Sequence, residues 1–222
     1  MDPARPATPR ARSIAQWFPR GGDALAGVAV SVLLVALVIW NPELTGALVQ
    51  EDSVVEWLQV VMAAVAFGFV VAASLRKFKA ADVLFCALLF LMAGSEINLD
   101  QRIFGIPVLD ARFFHHRTVP LALKVFSGSV VVTGALTLIV YSLAHWRALW
   151  TELWWGVSAR WLHLLVVGSV FIGIAEIFEH QLNHALPLPR YFLEESFELI
   201  GTLYLALGML RRLRATLNMG AP

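Results

Sequence analysis

Residues 54–76 read V-V-E-W-L-Q-V-V-M-A-A-V-A-F-G-F-V-V-A-A-S-L-R. Between Gln59 and Ser74 no side chain is polar, and Arg76, Lys77 and Lys79 close the stretch. That length matches the roughly 20 residues a helix needs to cross the hydrocarbon core of a bilayer. A backbone in hydrocarbon must satisfy its own hydrogen bonds, so residues 54–75 are read as a helical span. Similar apolar runs cover 24–40, 80–97, 119–143, 161–179 and 191–210. The predicted fold class is all-α, a polytopic membrane helix bundle of six transmembrane helices.

Composition agrees with this class. Of 222 residues, 59% are hydrophobic and 15% charged, with a mean hydropathy of +0.71. A soluble domain has about 45–50% apolar and about 25% charged residues. A disordered tail and a conventional soluble enzyme are thereby excluded. The formal net charge of +1 offers nothing to a polyanion, so no nucleic-acid partner is expected. Cys86 is the only cysteine and lies within an apolar run, which excludes an internal disulfide.

The first apolar run follows Arg5, Arg10, Arg12 and Arg20, like the charged start of a signal peptide. It continues to Trp40 without a small-residue cleavage site and is read as a retained span. Residues 1–22 form a flexible or interfacial leader, 23–214 the six-helix domain and 215–222 a tail. The stretches Gly105-Ile106-Pro107 and Pro187-Leu188-Pro189 are expected to break the chain between helices.

Basic residues set the expected orientation. Twelve lie on one side: the four arginines of the leader, Arg76, Lys77, Lys79, Arg147, Arg160, Arg211, Arg212 and Arg214. Five lie on the other: Arg102, Arg112, Arg117, Lys124 and Arg190. The positive-inside rule puts both termini in the cytoplasm. Between the fourth and fifth spans stand Trp146, Trp150, Trp154, Trp155 and Trp161. The four-residue spacing of the first three places them on one helical face, an interfacial anchor to the lipid bilayer. The same rings would also suit a partner subunit, a lipid or a pigment.

Acids collect on the outer side. Glu56, Glu96, Glu176 and Glu198 fall near the outer ends of four spans. A charged carboxylate facing lipid costs several kcal/mol, so each is expected to turn inward. Asp52 with Glu56, Glu56 with Gln59, and Glu194 with Glu198 share helical faces. With Asp100, and with Lys124 as counter-charge, these residues are expected to line one polar pocket that opens outward. Glu176, His180 and His184 form an i, i+4, i+8 stripe that would suit a divalent transition metal. Such a stripe lacks the Glu-x-x-His spacing of di-iron bundles. No nucleophile-elbow pattern surrounds Ser95 or Ser196. The inner halves of the spans, with Asp82 alone, show no acidic relay for a through-membrane path. Gly128, Gly134, Gly168, Gly173, Gly201 and Gly208 are expected to permit close helix contacts.

Three segments are similar to a group of uncharacterised multi-pass bacterial inner-membrane proteins. They are E-D-S-V-V-E-W-L-Q (51–59), E-I-N-L-D-Q-R-I-F-G (96–105) and L-E-E-S-F-E-L-I-G (193–201). The resemblance implies a bacterial inner-membrane location and supplies no activity. Ser95, Asp100, His180 and His184 also mimic parts of membrane hydrolases of the alkaline ceramidase type. Leu99 stands where that family's histidine would be, and a further span follows the histidine pair.

The expected function is therefore a non-enzymatic accessory or binding subunit of a membrane assembly, with an outward-facing Glu/His pocket. A metal-dependent membrane hydrolase and a proton or cation transporter are the alternatives.

Overall fold

The computed structural model describes residues 22, 27, 29, 30, 32, 33, 36, 54–104, 113, 114, 119–181 and 187–218. Among the described residues the regular structure is entirely helical. The helices are α1 (Val54–Arg76), α2 (Ala80–Glu96), α3 (Leu99–Phe104), α4 (Leu121–Ala144), α5 (Trp146–Ala159), α6 (Trp161–Gln181) and α7 (Pro187–Asn218). Three of them, α1, α4 and α6 over Trp161–Phe178, are long and apolar enough to cross a membrane.

In α1 the buried positions are Val55, Gln59, Ala63, Ala66, Val70 and Ala73. Their spacing of three and four residues makes one stripe. The opposite face is just as apolar: Val61, Val65, Phe67 and Val71 are exposed. A helix apolar on all sides is at home in lipid rather than water. Three alanines in the buried stripe let α2 and α7 approach closely, and α1 packs against both.

Helix α7 is central, packing on α6 along most of its length and on α1. The core joins Ala66 and Val70 of α1, Leu89 of α2, Trp161 and Leu165 of α6, and Leu205, Ala206 and Met209 of α7. Where α6 meets α7, Gly168 and Gly201 face each other. A Cβ built on Gly168 would lie 2.7 Å from the Gly201 carbonyl oxygen, and one on Gly201 2.8 Å from that of Gly168. Gly208 abuts Leu165 in the same seam, whereas Gly134 and Gly173 border open space. Of the first predicted span, the six described positions are helical; Gly27 lies against Tyr204 and Val30 packs beside Leu164 and Ile200.

Helix α7 differs from its predicted extent. It starts at Pro187 rather than after the Pro187-Leu188-Pro189 stretch. The first-turn N–H groups of a helix have no intrahelical partner, so proline there costs little.

Helix α4 stands apart. Ser127 is its buried residue, and an apolar cleft of ≈ 880 Å³ separates it from α2, between Phe90 and Leu91 on one side and Phe126 and Val130 on the other. It is tied at its last turns, where the Tyr141 hydroxyl donates to the Ala80 carbonyl at 3.1 Å. Helix α5 then runs from Trp146 to Ala159 and ends at Arg160, which adopts a left-handed conformation (φ 64°).

That turn decides the fate of the tryptophans. Trp146, Trp150 and Trp154 are exposed on one face of α5, with Trp150 and Trp154 in edge contact at 5.9 Å. Trp161 differs from the interfacial expectation: it begins α6 and is fully buried. The sharp turn at Arg160 swings it inward, where it sits against Gly156 and makes ring contacts with Phe85 and Trp155. Trp155 is half-buried and also faces the bundle.

Candidate functional site

Polar side chains gather at the two ends of the α1–α2–α7 unit. On α2, Asp82 and Glu96 are fourteen residues apart, about 21 Å of helix. On α7, Glu195 and Arg212 are seventeen apart, about 26 Å. Between them neither α2 nor the 199–210 stretch of α7 carries a charge. The distances approach the ~30 Å of a hydrocarbon core.

The basic end is a closed network. Arg212 of α7 is 1% exposed and pairs through Nη2 with Asp82 Oδ1. Its Nε donates to Glu152 Oε1 at 3.1 Å. Lys79 Nζ reaches Glu152 Oε2 at 2.7 Å and lies 3.3 Å from the centre of the Trp155 ring. The second Asp82 oxygen accepts the Lys79 backbone N–H at 2.9 Å, covering an otherwise unpartnered donor at the start of α2. Two cations and two anions thus cancel. Burial lowers Lys79 below the ordinary lysine range, opposed by its hydrogen bond to Glu152.

The grouping was not legible from sequence, which read Arg212 and Lys79 only as orientation signals and Asp82 as a lone inner acid. Two isolated acids on the basic side were the available signal. Within this network Lys79→Met should lower stability by about 1 kcal/mol, since Glu152 keeps Arg212 and only the outer pair and the ring contact are lost. Denaturant titration in detergent micelles measures it.

The acidic end is built around Gln59, which is 1% exposed. One end of its carboxamide lies 2.5 and 3.1 Å from the two Glu96 carboxyl oxygens. The other lies 3.4 Å from Glu195 Oε2 and 3.5 Å from the Glu195 carbonyl. Helices α1, α2 and α7 therefore meet through this one side chain. Glu56 and Glu198 act electrostatically on both Glu96 and Glu195, and Glu194 acts on Glu195. All five of these glutamates are half-buried.

Of the predicted pocket residues, the structure brings together Glu56, Gln59, Glu96, Glu194 and Glu198. Glu176 is exposed on α6. Lys124 donates from Nζ to the Phe114 carbonyl at 3.0 Å, a backbone partner rather than a carboxylate. Asp52 and His184 lie outside the described residues, as do the side chains of Asp100 and His180. The predicted Glu176/His180/His184 metal stripe therefore falls largely outside them. Among the described residues no group of His, Cys, Asp and Glu side chains is disposed to hold a metal ion.

Glu195 was missed by sequence reasoning, which followed the i, i+4 pair Glu194–Glu198. The i, i+3 pair Glu195–Glu198 was equally available, and the rotation of α7 about its axis makes it the one that faces Gln59.

Comparison with known family models, with curated proteins and with solved structures finds no match to this chain.

Proposed function

We propose that this is a multi-pass protein of the bacterial inner membrane, with six spans and both termini in the cytoplasm. It acts without catalysis, as an accessory or binding subunit that presents its carboxyl-rich outer end to a cationic group on a partner. The observation that carries this reading is the convergence of Gln59, Glu96 and Glu195 from three helices, with Glu56 and Glu198 beside them.

The opposite end supports the orientation. Lys79 and Arg212 meet there, near Arg76, Lys77, Arg211 and Arg214 in sequence. Excess Lys and Arg is the mark of a cytoplasmic face. The exposed Trp146, Trp150 and Trp154 on α5 belong to that end, because Glu152 of α5 joins the network. Indole rings favour the membrane–water boundary. Apolar exteriors on α1 and α4 leave the outer polar end as the distinctive recognition surface. The resemblance of residues 51–59, 96–105 and 193–201 to bacterial inner-membrane proteins supports the location.

Solubilised in mild detergent from its native membrane, the protein is expected to migrate as part of a larger assembly. Glu56→Gln with Glu198→Gln should release it while leaving its melting temperature within a few degrees, because these changes remove charge and keep shape. Wild-type protein migrating as a lone monomer would overturn the accessory role.

A further inference from the structure

The space between α2 and α4 has an open middle and a tied foot. Phe90 and Leu91 of α2 and Phe126, Val130, Val131 and Leu138 of α4 wall a cavity of ≈ 880 Å³. Cavities that hold small molecules measure about 300–1,000 Å³. Thr137, also in the wall, donates its hydroxyl proton to the Thr133 carbonyl of its own helix at 2.7 Å, so it does not call for a polar occupant. Beyond Leu138 the Tyr141 hydroxyl closes on the Ala80 carbonyl at 3.1 Å and ties the two helices together.

Position along the helices limits the occupant. Leu138 is three residues from Tyr141 and Phe126 fifteen, so the cavity runs from about 4 Å to about 22 Å beyond the tie. One leaflet supplies about 15 Å of a ~30 Å hydrocarbon core. Because Ala80 directly follows the basic residues Arg76, Lys77 and Lys79, the tie marks the edge of that core. The cavity therefore starts where acyl chains start and passes the midplane. A transmembrane helix needs a seat along the whole core, and the tie blocks its passage between α2 and α4. Acyl chains that enter from the side and end near the middle meet no such obstacle.

Charge beside the tie selects the head of the molecule. Arg76 and Lys77 precede Ala80 by four and three residues, Arg147 follows Tyr141 by six, and all three are exposed. The described acids of this end, Asp82 and Glu152, are already held by Lys79 and Arg212. Arg147 lies 5.8 Å from the ring of Trp146, an exposed indole of the kind that favours the headgroup level. Basic pockets between membrane helices bind anionic headgroups, each Lys or Arg adding roughly fivefold in affinity. Glu96 stands at the opposite end of α2, where a carboxyl group would repel such a head.

We propose that the α2–α4 cleft is a binding site for one phospholipid with an anionic headgroup. Its acyl chains lie between Phe90 and Phe126, and its phosphate lies beside Lys77 and Arg147. The inference requires that α4 stand in a bilayer; it does not depend on the accessory role or on the carboxyl-rich end.

Gly134 offers a substitution that fills the cleft and spares the fold. It lines the cavity, and a Cβ built on it meets nothing within 4 Å. Phenylalanine is also a better helix former than glycine. Full-length protein in mild detergent is titrated with phosphatidylglycerol or phosphatidylcholine of identical acyl chains, and native mass spectrometry counts the lipid retained. Wild type should retain one phosphatidylglycerol, with more than tenfold preference over phosphatidylcholine. Gly134→Phe should lose that lipid while its melting temperature in lipid-free detergent stays within a few degrees of wild type. Lys77→Gln with Arg147→Gln should cut the preference more than tenfold and leave phosphatidylcholine binding as it was.

No preference in wild type, equal retention by Gly134→Phe, or an unchanged preference in the charge variant overturns the proposal. So does a lipid-free dimer that Gly134→Phe dissociates, which would put a second copy in the cleft. If the charge variant does not fold, wild type and Gly134→Phe still decide. A phosphatidylglycerol lost on filling the cleft supports the site, and one retained overturns it.

Discussion

Arg212→Met is expected to destabilise the protein by about 3–5 kcal/mol, the largest effect of any single substitution considered. Arg212 pairs with Asp82 and Glu152 in surroundings where all three are nearly excluded from solvent. Removing the cation leaves two buried carboxylates with only Lys79 between them. Breaking a buried ion pair from one side costs that much because the remaining charge has lost both water and partner. Methionine keeps the length and apolar stem of the side chain, so packing against Phe85 and Trp161 changes little.

The charge explanation makes a second demand. Lys79→Met, Asp82→Asn, Glu152→Gln and Arg212→Met combined should recover most of the loss, since an uncharged group of similar volume often matches a buried ion network in stability. Asparagine at 82 also keeps an oxygen for the Lys79 backbone N–H. Reversible denaturation in mixed micelles would measure both proteins. If the combined variant were as unstable as Arg212→Met alone, the loss would lie in shape rather than in uncompensated charge.

Gly201→Val is expected to cost about 2–3 kcal/mol and to separate α6 from α7. Its Cβ would lie 2.7 Å from Ile172 Cγ1 and 2.8 Å from the Gly168 carbonyl oxygen. Ile172 can turn aside, but the Gly168 carbonyl belongs to a helical backbone and cannot. Overpacking of this kind typically costs about 1–3 kcal/mol. In lipid the loss is felt directly, because helices associate through close packing rather than by escaping water.

Gly173→Val provides the contrast on the same helix. Its Cβ would meet nothing within 4 Å, so the effect should stay within the ordinary cost or gain of a helical propensity change. Equal destabilisation at 201 and 173 would mean that the seam is not the reason. Thermal unfolding of the two variants in the same detergent separates these outcomes.

How much of this was readable in advance depends on the kind of signal. The apolar run at 54–75 appears as a helix at 54–76, and the run at 161–179 as one at 161–181, because a helix and its solvent class follow from composition along a line. The partners of individual side chains were less accessible. Trp161 seemed one of five interfacial rings until the left-handed Arg160 turned it into the core. Lys124 was read as a counter-charge for acids, yet it serves a backbone carbonyl.

Six glycines looked alike in sequence, and the seam between α6 and α7 distinguishes Gly168, Gly201 and Gly208 from the others. Glu195 was passed over for Glu194 because both spacings to Glu198 fit a helix. A difference of one residue rotates a side chain by about 100°, enough to exchange a bundle-facing position for its neighbour.

By itself the amino-acid order determined that this chain is helical and carries runs long and apolar enough to cross a membrane. Those properties depend on side-chain chemistry summed over twenty or so positions. Tertiary structure alone decided that Asp82, Glu152 and Arg212 meet, that Glu195 rather than Glu194 reaches Gln59, and that α4 stands off from the rest. Such contacts depend on the rotation of each helix about its axis and on which helices are neighbours. On surfaces apolar all round, a one-dimensional pattern specifies neither.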